Sequence, residues 1–255
     1  MATARTAQIE SARFHGPRAR VLDLSLVGED SLGFVGGQYV IVDTGVSLAN
    51  GKRAKRAYSI LSCDQDQRRF RLAIRKLEPG PGSTVLHALP EGSTVQFSGP
   101  WGKYVAPAVV RGPVLVFATD TGITAALGLV RGRAFSSLLA QRQDVHIVWY
   151  ARDDDGFVSV DYVREQLNTA VDRFAVEPAF PVGHPERTEQ ARAAAFRHLD
   201  SLGSRDSSSR AAATAFLSGD GDVIYRLRDA LVSTGMSGDQ ISVEAFFNNP
   251  GRKAP

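Results

Sequence analysis

The pattern of apolar residues changes once along this chain, between residues 106 and 112, and the two halves call for different architectures. Before that point short β-prone runs follow one another with Gly, Pro, Asn and Asp at the joints. Ile9 and Phe14, then Val21, Leu22, Leu24 and Leu26, flank His15-Gly16-Pro17, which reads as a hairpin over 8–27. Further strands are predicted at 38–43, 56–62, 69–76 and 94–98, with one helix at 84–89 capped by Ser83 or Thr84. Closely spaced strands of this kind close into a small antiparallel barrel. Beyond residue 112 strands alternate with longer helical patterns: 114–118 then 124–135, 145–150 then 160–167, 214–217 then 223–231. That alternation implies a parallel sheet with right-handed crossovers and a ligand site at the carboxyl ends of its strands. The fold class read from this is a two-domain chain: an N-terminal antiparallel β-barrel over 1–108 and a C-terminal α/β, Rossmann-like parallel-sheet domain with a tail over 109–255. The connection over 180–213 has helical character at 186–202 and a polar loop at 203–210. A lid or a contact surface is one reading of it and an inert excursion the favoured one.

Several function classes drop out. Lys and Arg total 30 against 27 for Asp and Glu, a net charge of +3, so no overall field points to nucleic acid. The first ten residues hold no secretory apolar core and the longest apolar runs are strand-sized, so the expectation is a cytoplasmic protein without a membrane span. Cys63 is the one cysteine, which excludes an internal disulfide and a cysteine-ligated cluster. Asp153-Asp154-Asp155-Gly156 lacks the first and last carboxylates of a calcium loop, and Gly51-Lys52 is followed by Arg53 instead of Ser or Thr, so it is no P-loop. The histidines show no metal-ligand spacing and no nucleophile elbow occurs, so neither hydrolysis nor a metal site is expected.

The chemistry collects in short strings. In Lys-Arg-Ala-Tyr-Ser-Ile-Leu, from Lys55 to Leu61, Arg56 offers a planar fork for a phosphate, Tyr58 a ring for a flat heterocycle and Ser59 a hydroxyl beside it. Gly82-Ser83-Thr84 opens a helix, where unpaired amides favour a pyrophosphate. Gly99-Pro100-Trp101-Gly102, Thr121-Gly122-Ile123-Thr124, Ser218-Gly219 and Glu244-Ala245-Phe246 follow in order.

In this order and spacing the series resembles the ferredoxin-NADP reductase family of flavoproteins over nearly the whole chain. The resemblance implies FAD as cofactor and NAD(P)H as cosubstrate, with hydride passing to the flavin and single electrons leaving to a separate acceptor. That acceptor would be a ferredoxin, a flavodoxin or an oxygenase component. Arg56, Tyr58 and Ser59 would seat the flavin, Gly82, Ser83 and Thr84 its pyrophosphate, and the backbone of Ile74, Arg75 and Lys76 would lie along it. Thr121, Gly122 and Thr124 would form the nucleotide turn, and Arg152 would meet the nucleotide's ribose or phosphate. Ser218 and Glu244 would stand near the nicotinamide, making Ser59, Ser218 and Glu244 the catalytic set, and Phe246 would cover the flavin's other face. The chain departs from the family where Asp120 replaces glycine, Ala125 replaces proline, and Ser218-Gly219-Asp220 replaces Cys-Gly-Pro. An ionised Asp120 would oppose a pyrophosphate, unless it caps the following helix. Other readings are a ferric-siderophore or free-flavin reductase, and a non-catalytic flavin-binding subunit. Lys52, Arg53, Lys55 and Arg56, with Arg68, Arg69 and Arg71 close by, would present a basic face to an acidic partner.

Overall fold

A computed structural model of the chain describes residues 4–49, 51–110, 112–141, 144–152, 156–202 and 211–248. The loop 203–210, the aspartates 153–155 and most of the tail singled out above lie outside the described residues.

Six strands, β1 (Arg5–Gly16), β2 (Ala19–Leu26), β3 (Tyr39–Ser47), β4 (Arg53–Ser59), β5 (Arg69–Arg75) and β6 (Thr94–Trp101), form an antiparallel sheet in the order β4-β3-β6-β1-β2-β5. Its two edges approach each other, where Leu61 N just past β4 donates to Arg71 O of β5 at 3.0 Å, giving a barrel-like closure. Alternation decides what fills it. Phe70, Leu72 and Ile74 of β5 point inward with Leu22, Leu24, Val40, Val42 and Phe97 and are almost fully buried. Helix α1 (Pro81–Ala88) begins earlier than predicted: Gly80 is its N-cap, Pro81 opens it, and no side chain caps it. Neither Ser83 nor Thr84 is the cap.

The second half is a five-stranded parallel sheet, β7 (Val114–Thr119), β8 (Val145–Ala151), β9 (Phe174–Pro178), β10 (Thr214–Asp220) and β11 (Ile241–Phe247), in the order β11-β10-β7-β8-β9. The order reverses direction between β7 and β10, so the ligand crevice of such a sheet opens at the ends of those two strands. Every residue of β7 is buried. Val114, Val116 and Ala118 face one layer of helices while Leu115 and Phe117 face the other, which is why the strand is a continuous apolar run.

Helices α2 (Ile123–Arg131), α3 (Arg133–Gln141), α4 (Val160–Leu167), α5 (Arg187–Ser201) and α6 (Gly221–Ser233) surround the sheet. The single helix predicted over 124–135 is two, set at 72° and broken at Gly132. A Cβ on Gly132 would sit 2.9 Å from the Gly36 Cα, so the break lets a barrel loop reach the helix backbone. The connection read as an inert excursion is a crossover: Ala191, Ala194, Ala195 and Leu199 of α5 pack into the sheet's second core layer. Strand β9 was not predicted, being five residues long, half-buried and ended by Pro178.

The first core layer runs on into the barrel through Ala19, Val21, Leu61, Ala73 and Tyr104. Polar contacts cross the same seam. Asp64 accepts from Gly36 N at 3.1 Å and Arg133 N at 2.9 Å, and Arg71 and Arg131 both donate to Gln166 Oε1, at 3.1 and 2.6 Å. Among the described residues no single helix is long and apolar enough to cross a membrane.

Candidate active site

A cavity of about 640 Å³ lies at the junction of the two sheets. Its barrel wall holds Tyr39 and Ile41 of β3, Arg56, Tyr58 and Ser59 of β4, Arg75, and the 77–83 segment entering α1. Its sheet wall holds Thr121, Thr124, Val182, Tyr225 and the 243–247 stretch of β11. Eight residues expected at the site are thus brought together: Arg56, Tyr58, Ser59, Ser83, Thr121, Thr124, Glu244 and Phe246.

On the barrel wall two polar side chains are open, those of Ser59 and Arg56. Ser59 is buried and its Oγ has no hydrogen-bond partner. Arg56 is exposed, and its guanidinium donates to Lys55 O at 2.9 Å, a bond to its neighbour in the chain. Tyr58 is pushed up to about 12, chiefly by burial and against the opposing pull of Arg56, so its hydroxyl stays neutral. A buried hydroxyl without a partner, a guanidinium without a carboxylate and a neutral ring on one wall fit a group that carries a flat heterocycle and phosphates.

Ser83 lines the cavity, but its hydroxyl is engaged locally, accepting from Leu77 N at 3.0 Å and donating to Gly80 O at 2.9 Å. Strand alternation reassigns the next segment. Ile74 is buried in the barrel core and Lys76 pairs with Glu78 at 3.3 Å, while Arg75 between them faces the cavity. Gly82 packs against Thr44, and Thr84 is exposed outside the lining.

On the sheet wall the charges are closed on one another. Asp120 adopts a left-handed φ of 49°, the conformation a glycine takes without cost, and its carboxylate is 2.5 Å from Arg187 Nη2. The same guanidinium reaches Asp220 through Nε at 3.3 Å, donates to Phe180 O, and lies 5.3 Å from the centre of the Tyr150 ring. Asp120, Arg187 and Asp220 are at most 4% exposed. Asp120 therefore does not cap α2, which has no side-chain cap. Asp220, standing where the family has proline, caps α6 by accepting from Asp222 N at 3.2 Å.

Ser218 is fully buried and outside the lining. Its Oγ donates to Gly122 O at 3.0 Å, tying β10 to the turn. A Cβ on Gly122 would run into the Ser218 carbonyl, so glycine there permits close backbone approach. Tyr104, whose proton burial retains well above the ordinary tyrosine range, donates to the same hydroxyl at 3.5 Å. Arg152 lies just past β8, also outside the lining. Glu244 lies beside the 99–102 bend, where a Cβ on Gly102 would be 3.5 Å from its Oε2, and Phe247 lines the cavity together with Phe246.

Arg187 was missed because no motif surrounds it and its partner Asp120 is 67 residues away. A second cavity of about 510 Å³ adjoins the first, since Gly183 and Arg226 of its lining follow Val182 and Tyr225 of the first. It is lined by Arg187, Thr188, Asp220 and Asp222 at the starts of α5 and α6, and by Arg192 and Arg226. The basic face is smaller than expected. Arg53, Arg68, Arg69 and Arg71 pair with Asp43, Asp30, Glu10 and Asp23 at 2.6–3.4 Å, leaving Lys55 and Arg56 without an acidic partner among the described residues.

The oxidoreductase FAD-binding domain family model matches residues 7–105. Ferredoxin--NADP reductase B of Sorangium cellulosum is 30% identical over 179 residues, covering 70% of each chain. NADH-cytochrome b5 reductase 1 of Cryptococcus neoformans is 33% identical over 112 residues, 44% of this chain and 34% of the relative. Among solved structures, the ferredoxin reductase in carbazole 1,9a-dioxygenase superposes with a TM-score of 0.72 at 17% identity, over 96% of this chain and 68% of that one.

Proposed function

Because this chain belongs to the ferredoxin-NADP reductase family of flavoproteins, we propose that it passes electrons from NAD(P)H through FAD to a separate acceptor protein. The observation that carries the reading is the convergence of the Arg56-Ala57-Tyr58-Ser59 wall with Thr121, Thr124, Glu244 and Phe246 around one cavity. FAD, when bound, takes two electrons as hydride from a nicotinamide and releases them one at a time.

Everything else is positioning by the chain. Residues 1–108 hold the flavin and 109–255 the nucleotide. Tyr58 supplies a neutral ring, Ser59 a hydrogen bond from a site that excludes water, and Arg56 a charge for phosphate. Phe246 or Phe247 covers the opposite side. Thr121 and the start of α2 receive the nucleotide's phosphates, and the second cavity at the starts of α5 and α6 takes the rest of the dinucleotide. Glu244 is placed to hold or release a proton at the cavity wall. Cys63 is the one cysteine of these 255 residues, which therefore ligate no cysteine-bound cluster themselves; the acceptor is read as a separate protein, for which Lys55 offers a small basic contact.

Anaerobic mixing with NADH and NADPH tests this. The yellow absorbance of the holoprotein is expected to bleach with at least one of them. A flavin that dithionite reduces but millimolar NADH and NADPH leave oxidised would overturn the reductase reading and leave a flavin-binding subunit. Reduced protein that passes electrons to ferric siderophores or free flavins, but to no protein carrier, would overturn the acceptor.

A further inference from the structure

The nucleotide turn carries a feature its family position does not require: a carboxylate where glycine suffices, buried with a second carboxylate and one guanidinium. Asp120 directly follows β7 and Asp220 ends β10, so Arg187 bridges the ends of the two strands that flank the point where the sheet reverses direction. Around them the hydrogen bonding is dense. Trp149 Nε1 donates to Asp120 O at 2.8 Å, Asp220 N to Thr119 Oγ1 at 2.7 Å, and Asn248 Nδ2 to Asp220 Oδ1 at 3.1 Å. Tyr150 Oη, under the guanidinium, donates to Arg187 O at 3.0 Å, fixing the first turn of α5. Thr121, next to Asp120, faces the first cavity, while Arg187 and Asp220 line the second. The bridge therefore ties the lining of the second cavity, through Arg187 and Asp220, to the residue next to Thr121 of the first.

We propose that Arg187 is a positioning residue for the nucleotide: held between Asp120 and Asp220, its guanidinium fixes the Asp120-Thr121-Gly122 turn and draws the Asp120 charge away from the anion that turn receives. The inference rests on the nucleotide reading above. Its physical basis is that an unpaired carboxylate in the turn would be free to swing toward a diphosphate and repel it, whereas one held by a guanidinium is fixed away from the anion and its charge is partly offset. Arg187 so restores, through a distant helix, what a glycine supplies by having no side chain. It follows that the nucleotide site needs Arg187 only while Asp120 is present, and that Asp120→Gly alone should leave nucleotide affinity at or above that of wild type.

The experiment compares wild type, Arg187→Met, Asp120→Gly and the double variant. Nucleotide binding is read directly by titrating NAD+ and NADP+ calorimetrically into the flavin-loaded protein, and KM and kcat are read by anaerobic flavin reduction. For Arg187→Met we expect nucleotide affinity to fall and KM to rise by roughly tenfold or more with kcat little changed, the pattern of lost binding. Flavin content is expected to stay the same. Adding Asp120→Gly should bring affinity back to within about threefold of wild type, a recovery that general loosening of the domain would not produce. Unchanged affinity in Arg187→Met, or a double variant no better than the single, overturns the proposal. Should Arg187→Met not fold, Arg187→Lys, which keeps charge and loses the fork, is expected to give a smaller rise in KM and the same rescue. Its failure to do so overturns the proposal equally. Wild-type protein that binds nucleotide without being reduced would sink the reductase reading and leave the affinity comparison decisive. Wild type that binds neither nucleotide removes both.

Discussion

On the barrel side of the cavity Arg56 is exposed and Ser59 Oγ is buried without a partner, while on the sheet side Asp120, Arg187 and Asp220 are buried and bonded to one another. The same residue type, arginine, is thus left open at the cavity on one wall and directed at the protein itself on the other. A group left open in the free protein gains its interaction when the ligand arrives. A closed one contributes to holding the fold and shapes the ligand's path indirectly.

The widest test of that contrast is stability. Arg187→Met strands two buried carboxylates and should cost about 3 to 5 kcal/mol of unfolding free energy. Arg56→Ala, on the exposed wall, should change it by less than about 0.5 kcal/mol. Urea unfolding of both variants without flavin reads the difference. Equal losses would break the comparison, because Arg56 would then be structural as well.

Flavin affinity should reverse the ranking. Arg56→Ala is expected to lose roughly 1.5 to 3 kcal/mol, as for a charged hydrogen bond, and Ser59→Ala about 0.5 to 1.5 kcal/mol, as for a neutral one. Ser59→Ala should leave the flavin-free protein as stable as wild type, since the hydroxyl has no partner to lose there. A Ser59→Ala protein that is destabilised yet binds flavin normally would place the hydroxyl's role in the fold.

How much of this the sequence announces differs between the walls for the same reason. Arg56, Tyr58 and Ser59 fall within four residues of one strand, so their convergence is local. The buried run of β7 and the period of α4 are local as well, and α4 spans Val160–Leu167 as its period requires. Which of Ile74 and Arg75 turns its side chain to the cavity follows from the two-residue alternation of β5, a local signal. The pairing of Asp120 with Arg187 depends on where α5 docks, and the break at Gly132 depends on a loop of the other half approaching it. Neither leaves a trace in nearby residues. The substitution of Asp120 for glycine is visible as an anomaly, but its resolution lies elsewhere in the chain.

The smallest expected effect concerns Tyr58, a group of the barrel wall whose charge can be turned on. Burial holds its phenol up to about 12, against an ordinary value near 10, and the Arg56 guanidinium pulls the other way. As pH rises past 10 the unfolded chain gives up this proton while the folded chain keeps it. The contribution to stability is therefore complete below pH 10 and is lost as pH climbs through 12. Removing the opposing charge in Arg56→Ala should move the ionisation higher still. The phenolate absorbance of wild type minus that of Tyr58→Phe, followed without flavin from pH 8 upward, isolates the group. A difference spectrum that titrates near 10 would mean the ring is solvated. The barrel wall would then lack the dry aromatic face that distinguishes it from the ion-paired wall opposite.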